Sequence, residues 1–275
     1  MQTLLLSFLA FWMALLPVYL WGYGMTYMLS DTWNRMRFAV GLLLGGVGVG
    51  LTYVFASSYS ENPWFEVSVL VGFFAFLLAL IVGLTFLGSR FSRVFLQKIA
   101  IVHIASLAGV LLIIYLIGRY VTIPAVMTPM ILLFSITPFL EEAAKHLGSV
   151  GLIGREFKFS KRDIISFTFF VVLGFVFAEN LVYLASGQFS LGVWISRSFF
   201  TLIAHVFTAL ICAHYWWRAL SYPLFSARYI MTFLMGFALA GGLHVLYNSL
   251  LSQGSILGLI IYAIVGYILV VVRRD

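Results

Sequence analysis

Charge is scarce in this chain. Only 9% of its 275 residues are Asp, Glu, Lys or Arg, and 63% are hydrophobic, whereas a soluble domain carries about 25% charged residues. So little charge cannot cover a water-facing surface, so lipid must be the solvent for most of the exterior. Cysteine is nearly absent. Cys212 stands alone in an apolar run, so an intrachain disulfide is impossible and the redox compartment stays open. Aspartate occurs only at Asp31, Asp163 and Asp275, outside the long apolar runs, which removes an intramembrane aspartyl dyad. No His-Glu-x-x-His is present, which argues against a zincin. No Gly-x-Ser-x-Gly is present either, since Gly148-Ser149-Val150-Gly151 has the wrong order. The net charge of +7 is spread between apolar runs rather than gathered on a face, so it reads as a topology signal and not as a nucleic-acid footprint.

What is present is a series of long apolar runs, and a bilayer core takes about 20 such residues per helix. Runs at 3–28, 38–56, 67–87, 99–118, 130–152, 164–185, 193–216, 229–250 and 256–272 meet this length. They predict an all-α, polytopic transmembrane bundle of about nine spans. The first run starts at Thr3 without a positive flank and is long enough to span, so no cleaved signal peptide is expected. Val121–Pro129, with Pro124 and Pro129, reads as a loop or a broken first turn.

The basic residues alternate with these spans. Arg35, Arg37, Arg90, Arg93, Lys98, Lys145, Arg155, Lys158, Lys161, Arg162, Arg218, Arg228, Arg273 and Arg274 follow or close odd-numbered spans. Only Arg119 and Arg197 of the sixteen fall on the other side. The positive-inside rule then predicts an N-terminus outside and a C-terminus in the cytoplasm. The loop between spans two and three holds Glu61 and Glu66 without a basic residue, and Pro63 and Trp64 suit an interfacial turn.

Ionisable side chains are costly in a bilayer and normally face a partner or a cavity. Spans five to eight carry Glu141, Glu142, Lys145 and His146, then Glu179 with Asn180, then His205, then His244 with Asn248. Glu141 and Lys145 are four apart and can pair on one helix face, with Glu142 about 100° around from Glu141. Ser198, Thr201, His205, Thr208 and Cys212 form one polar stripe on span seven. Glu179 lies about 22 Å along span six at 1.5 Å per residue, and His244 reaches a similar depth in span eight. Glu141, Glu179, His205 and His244 can therefore meet in the middle to outer half of the membrane. A lone intramembrane histidine is more often a bond between helices than a catalyst, which is the reading for His103 and His214. His146 reads as interfacial.

These residues form an ordered set. Glu141-Glu142-Ala143-Ala144-Lys145 fits Glu-Glu-x-x-Lys, Phe175-Val176-Phe177-Ala178-Glu179 fits Phe-x-x-x-Glu, His205 follows on the next span, and His244-Val245-Leu246-Tyr247-Asn248 completes it. The set, over roughly 138–250, resembles the PrsW family of intramembrane proteases, which is similar to the type II CAAX prenyl endopeptidases within one superfamily. Lys145 and Glu179 fit the PrsW branch, while Asn248 replaces an Asp found in many relatives. The resemblance implies a site-1, extracytoplasmic cut in a single-span substrate such as an anti-sigma factor, in a bacterial or archaeal plasma membrane. It also implies accessory helices over 1–120 and a catalytic core over 121–275.

The chemistry expected of these residues is water activation by Glu141 or Glu142, with His205 sharing in proton transfer. His244 and Asn248 would polarise the carbonyl or hold the oxyanion, and Glu179 would orient an imidazole. Lys145, Phe175 and Asn248 are supporting residues. No metal is expected, because no contiguous ligand motif is present. The rival is a divalent ion such as zinc on the Glu/His set. Two other function classes fit an intramembrane polar cluster: a proton-coupled transporter and a non-catalytic scaffold using glycine contacts such as Gly45-Gly46-Val47-Gly48-Val49-Gly50.

Overall fold

The computed structural model describes residues 2–28, 35–57, 97–109, 136–153, 160–185 and 190–255, with positions 112, 260 and 262. Every described element is helical: α1 (Gln2–Met28), α2 (Arg35–Ser57), α3 (97–109), α4 (Thr137–Ile153), α5 (Lys161–Ala185), α6 (Leu191–Ala219) and α7 (Ala227–Ser252). Lys161–Leu184, Leu191–Ala219 and Ala227–Leu251 are long and apolar enough to cross a membrane, and Phe8–Gly24 and Phe38–Tyr53 are shorter apolar stretches. Other expectations lie outside the described residues. These are the span at 67–87, all but two positions of the span at 256–272, and the loops with Glu61, Arg90, Arg93, Arg119, Pro124, Arg155, Lys158, Arg273 and Arg274.

α5 is the axis of the bundle, packed by α1, α2, α4 and α6. Its run from Phe167 to Val176 is buried throughout. A helix sunk this deeply has no polar face, so the acid it carries at Glu179 must find partners inside the protein. The tightest crossing joins α2 to α5. A Cβ on Gly45 would lie 2.0 Å from the backbone N of Phe175, and one on Gly174 would lie 2.0 Å from the carbonyl oxygen of Gly41. Glycine at 41, 45 and 174 therefore lets two backbones touch, the packing that small residues permit between membrane helices.

α6 and α7 form an antiparallel pair joined by a short turn. Phe225 takes φ 67°, and the next residue, Ser226, caps α7 by accepting a hydrogen bond from the Tyr229 N–H at 3.1 Å. α7 is two-sided in size rather than polarity. Tyr229, Phe233, Phe237, Ala240, His244 and Tyr247 are buried, whereas Met231, Met235, Leu239 and Leu246 are exposed. Both faces are apolar, as expected of a helix with protein on one side and lipid on the other. α3 is tied in by imidazoles. His103 Nε2 lies 2.7 Å from the Tyr229 hydroxyl, and its Nδ1 lies 2.8 Å from His146 Nε2. His103 thus bonds across helices as expected, and His146 is buried within the protein at 3% exposure.

Candidate functional site

The first motif sits on α4, where Glu141 and Glu142 leave the helix about 100° apart. They reach opposite nitrogens of one ring: His244 Nδ1 is 2.8 Å from Glu142 Oε1, and His244 Nε2 is 3.5 Å from Glu141 Oε2. Glu142 Oε1 also accepts from Lys145 Nζ at 2.6 Å and from the Thr208 hydroxyl at 2.8 Å. Lys145 thus pairs with Glu142, three residues away, and not with Glu141, four residues away. The i,i+3 and i,i+4 positions are both neighbours on a helix. The choice follows from α6 and α7, which bring Thr208 and His244 to Glu142 as well.

Hydrogen-bond partners constrain both imidazoles. A carboxylate accepts but cannot donate, so His244 carries a proton on Nδ1, facing Glu142. An ammonium donates but cannot accept. Lys145 Nζ lies 2.7 Å from His205 Nδ1, so His205 is protonated on Nε2, which donates to Glu179 Oε2 at 3.0 Å. Phe175, one turn before Glu179, packs beneath this junction. Its ring centroid is 4.8 Å from Lys145 Nζ and 5.6 Å from that of His205.

Glu179 has a second partner that the loop-charge reading left on the membrane's outer rim. Arg197 lies in the π-helical turn of α6, Arg197–Thr201, with its Nη2 2.9 Å from Glu179 Oε1. Its Nε donates to Asn180 Oδ1 at 2.9 Å, and its guanidinium lies 3.7 Å from the Tyr183 ring centroid. Single π turns inside α-helices occur often at functional sites. The signal available in the sequence was a basic residue one turn before Thr201, at the start of the polar stripe. Ser198, Thr201, His205, Thr208 and Cys212 on that stripe are all buried. Asn248, one turn beyond His244, makes no hydrogen bond among the described residues.

The charges then sort themselves. Glu142 is held by Lys145, and Glu179 by Arg197. Among the described residues no lysine or arginine pairs with Glu141, and its buried Oε2 has no hydrogen-bond partner. Removing Lys145 would leave Glu142 buried without its cation. Lys145→Ala is expected to cost about 3–5 kcal/mol of stability, read as a lowered unfolding midpoint in detergent.

This donor set suits a cation. Glu141, His205 and His244 each offer one ligand atom, and the three atoms lie within 4.8 Å of one another. Two imidazoles and one carboxylate are a known catalytic zinc set. Glu142 on His244 Nδ1 is the outer carboxylate that commonly orients a ligating imidazole. Glu141 Oε2 has no hydrogen-bond partner; His244 would ligate through an unprotonated Nε2, and His205 by giving up its bond to Glu179 or to Lys145. The expectation of no metal rested on the lack of a contiguous motif, and the ligand set is assembled from three separate helices instead.

Residues 94–273, more than half of the chain, match the family model described as PrsW family intramembrane metalloprotease. No curated protein and no solved structure matches the chain.

Proposed function

The chain belongs to the PrsW family of intramembrane metalloproteases and is a membrane-embedded peptidase, and on that premise we propose that it hydrolyses a peptide bond of a membrane-anchored protein beside Glu141, His205 and His244. One observation carries this reading. His244 Nε2 and Glu141 Oε2 face each other across 3.5 Å, and that buried carboxylate oxygen has no hydrogen-bond partner. A buried acceptor left unpaired is costly. A water or a cation held beside Glu141 would satisfy it.

Glu141 is the carboxylate assigned to the attacking water. As the water oxygen bonds to the scissile carbon, its proton passes to Glu141, and the same proton leaves with the departing amine. Glu142, Lys145 and Thr208 hold the His244 ring, and Glu179, steadied by Arg197, holds the His205 ring. A divalent ion on Glu141, His205 and His244 would supply a water that ionises near neutral pH and a polarised carbonyl.

The finer assignments follow the loop charges and the family resemblance. The chain crosses a bacterial or archaeal plasma membrane about nine times, with its N-terminus outside. Residues 1–120 are accessory helices around a catalytic core over 121–275. The substrate is a single-span protein such as an anti-sigma factor, cut on the extracytoplasmic side.

The test is co-expression with a single-span anti-sigma factor tagged at both ends. The expected result is an outward-side cut that Glu141→Gln abolishes. An intact substrate with the wild-type chain would favour the transporter or scaffold instead. Metal content is a separate measurement. Purified protein is expected to hold close to one zinc per chain, as a single site of this donor set implies. Chelation should remove activity and zinc should restore it, and His244→Ala should abolish the bound zinc.

A further inference from the structure

α1 carries a proline in mid-helix, and the consequences reach α6. Pro17 has no N–H to give the Met13 carbonyl, one turn before it. The indole Nε1 of Trp194 donates to that carbonyl instead, at 2.9 Å, as neighbouring helices do for a proline inside a membrane. Farther along, Trp21 and Phe199 meet edge to face with ring centroids 6.5 Å apart. Beside these two contacts α1 and α6 leave a recess of about 300 Å³. Leu16, Leu20 and Gly24 line one wall, Ser198 and Phe199 the other. Leu16, Leu20 and Phe199 are exposed, and a Cβ on Gly24 would meet nothing within 4 Å.

A polar atom in this apolar recess is unpaired. Ser198 is 1% exposed, and its hydroxyl has no hydrogen-bond partner. A helical serine or threonine can donate back to a carbonyl of the preceding turn, and Thr52, Ser149, Thr208 and Ser249 do so. Ser198 lies in the π turn Arg197–Thr201, where the carbonyl ladder is shifted. Thr168 shares the lack but sits in the buried run of α5. A buried hydroxyl without an acceptor is costly, and alanine would avoid the cost. An acyl chain would cover the apolar walls and leave the hydroxyl unpaired. A polypeptide helix brings apolar side chains and also carbonyl oxygens, each with a second lone pair to accept from a serine. Such a helix, about 10–12 Å across, lies over the mouth while its side chains fill the recess.

We propose that this recess is the docking site for the membrane helix of the substrate, with the Ser198 hydroxyl donating to one of its carbonyls. This rests on the hydrolytic reading of the Glu141 site. Ser198, Thr201 and His205 follow three- and four-residue steps along one buried face of α6. Seven residues separate Ser198 from His205, roughly 10 Å of helix rise. A substrate helix entering from lipid over Leu16 and Leu20 is therefore seated about two turns from the imidazole. The stretch that continues along α6 is the one delivered to Glu141 and His244.

The experiment cross-links and assays the full-length protein with the tagged anti-sigma factor in liposomes. A Gly24→Cys, Glu141→Gln protein should be joined by a bismaleimide to single cysteines on one face of the substrate's membrane helix; Cys212 is buried and does not compete. With Glu141 intact, Gly24→Leu should raise KM about tenfold or more, the effect of overpacking a filled recess, with kcat unchanged. Ser198→Ala should raise KM about 2–10-fold, the worth of one hydrogen bond. Unfolding midpoints of both variants should stay level or rise, because Gly24 faces open space and the Ser198 hydroxyl is unpaired. Three results would each overturn the proposal: no cross-link to the substrate, a cross-link between two copies of this chain instead, or a wild-type KM in Gly24→Leu with loss of bound phospholipid. If Glu141→Gln cleaves normally, the hydrolytic reading fails, and the cross-link still reports docking. If Glu141→Gln is inactive and Gly24→Leu keeps the wild-type KM, only the docking site fails.

Discussion

Glu141→Gln should lower cleavage of a single-span substrate by about 10²–10⁴-fold, the usual contribution of a positioned acid–base group, while leaving the protein as stable as the wild type or more so. Glutamine keeps the volume and shape of glutamate but neither takes the water proton nor offers a negative ligand. The stability half of the prediction follows from the pairing. Glu142 and Glu179 each sit against a cation, at 2.6 Å from Lys145 and 2.9 Å from Arg197. Glu142→Gln therefore strands a buried ammonium and should cost about 3–5 kcal/mol; Glu179→Gln frees a guanidinium at a more open position and should cost less. Among the described residues no lysine or arginine contacts Glu141, so its replacement in the metal-free protein removes a buried carboxylate without stranding a basic side chain. Cleavage assays paired with unfolding midpoints for the three variants separate the roles. A Glu141→Gln protein that cuts at the wild-type rate, or one that unfolds as early as Glu142→Gln, contradicts this division of labour.

The second large effect is expected far from any charged group. Gly174→Ala adds one methyl to the middle of α5, and in an isolated helix that change gains about 1 kcal/mol. Here the new Cβ would lie 2.0 Å from the Gly41 carbonyl oxygen and 2.5 Å from the Leu42 Cα. Both are backbone atoms, so no side chain can turn away and α2 as a whole must retreat. Gly48 of α2 backs Ala144 and Phe175, with Cβ distances of 3.2 and 3.4 Å. Those contacts hold α4 beside Lys145 and hold the aromatic floor under His205. Overpacking of this kind costs about 3 kcal/mol, and the carboxylates should lose their alignment with it. The expected outcome is a lower unfolding midpoint together with a loss of cleavage. Gly50→Ala, with nothing within 4 Å of its Cβ, should be neutral or slightly stabilising and serves as the control.

The spans at α5, α6 and α7 were legible because each is a long apolar run ended by polar or turn residues. Glu141, Glu142, Glu179, His205 and His244 were legible because ionisable groups inside such runs are expensive and must meet. What the chain order conceals is pairing. Lys145 has carboxylates at both three and four residues, and α6 and α7 decide between them by delivering Thr208 and His244. Arg197 looked like a loop charge because a basic residue near a span end counts toward topology whether or not it turns inward. Ser198 is one hydroxyl on a polar stripe, and its place in a recess against α1 depends on contacts remote in sequence. The Gly174 crossing depends equally on the register of α2 against α5, which no local period encodes.

α4 carries Glu141, Glu142 and Lys145 within five consecutive residues. Each such residue costs roughly 2.5–3.5 kcal/mol at the centre of an isolated inserting helix, which makes α4 a poor candidate for entering lipid alone. Part of its compensation is the Lys145–Glu142 pair within α4 itself, and the rest comes from His205, Thr208 and His244, which are synthesised later. During biogenesis α4 is therefore expected to integrate fully only once α6 and α7 are available, which would couple its integration to assembly of the hydrolytic centre. A chain truncated before α7 should leave α4 unintegrated and open to quality-control proteolysis, so the membrane is not left holding a half-built protease.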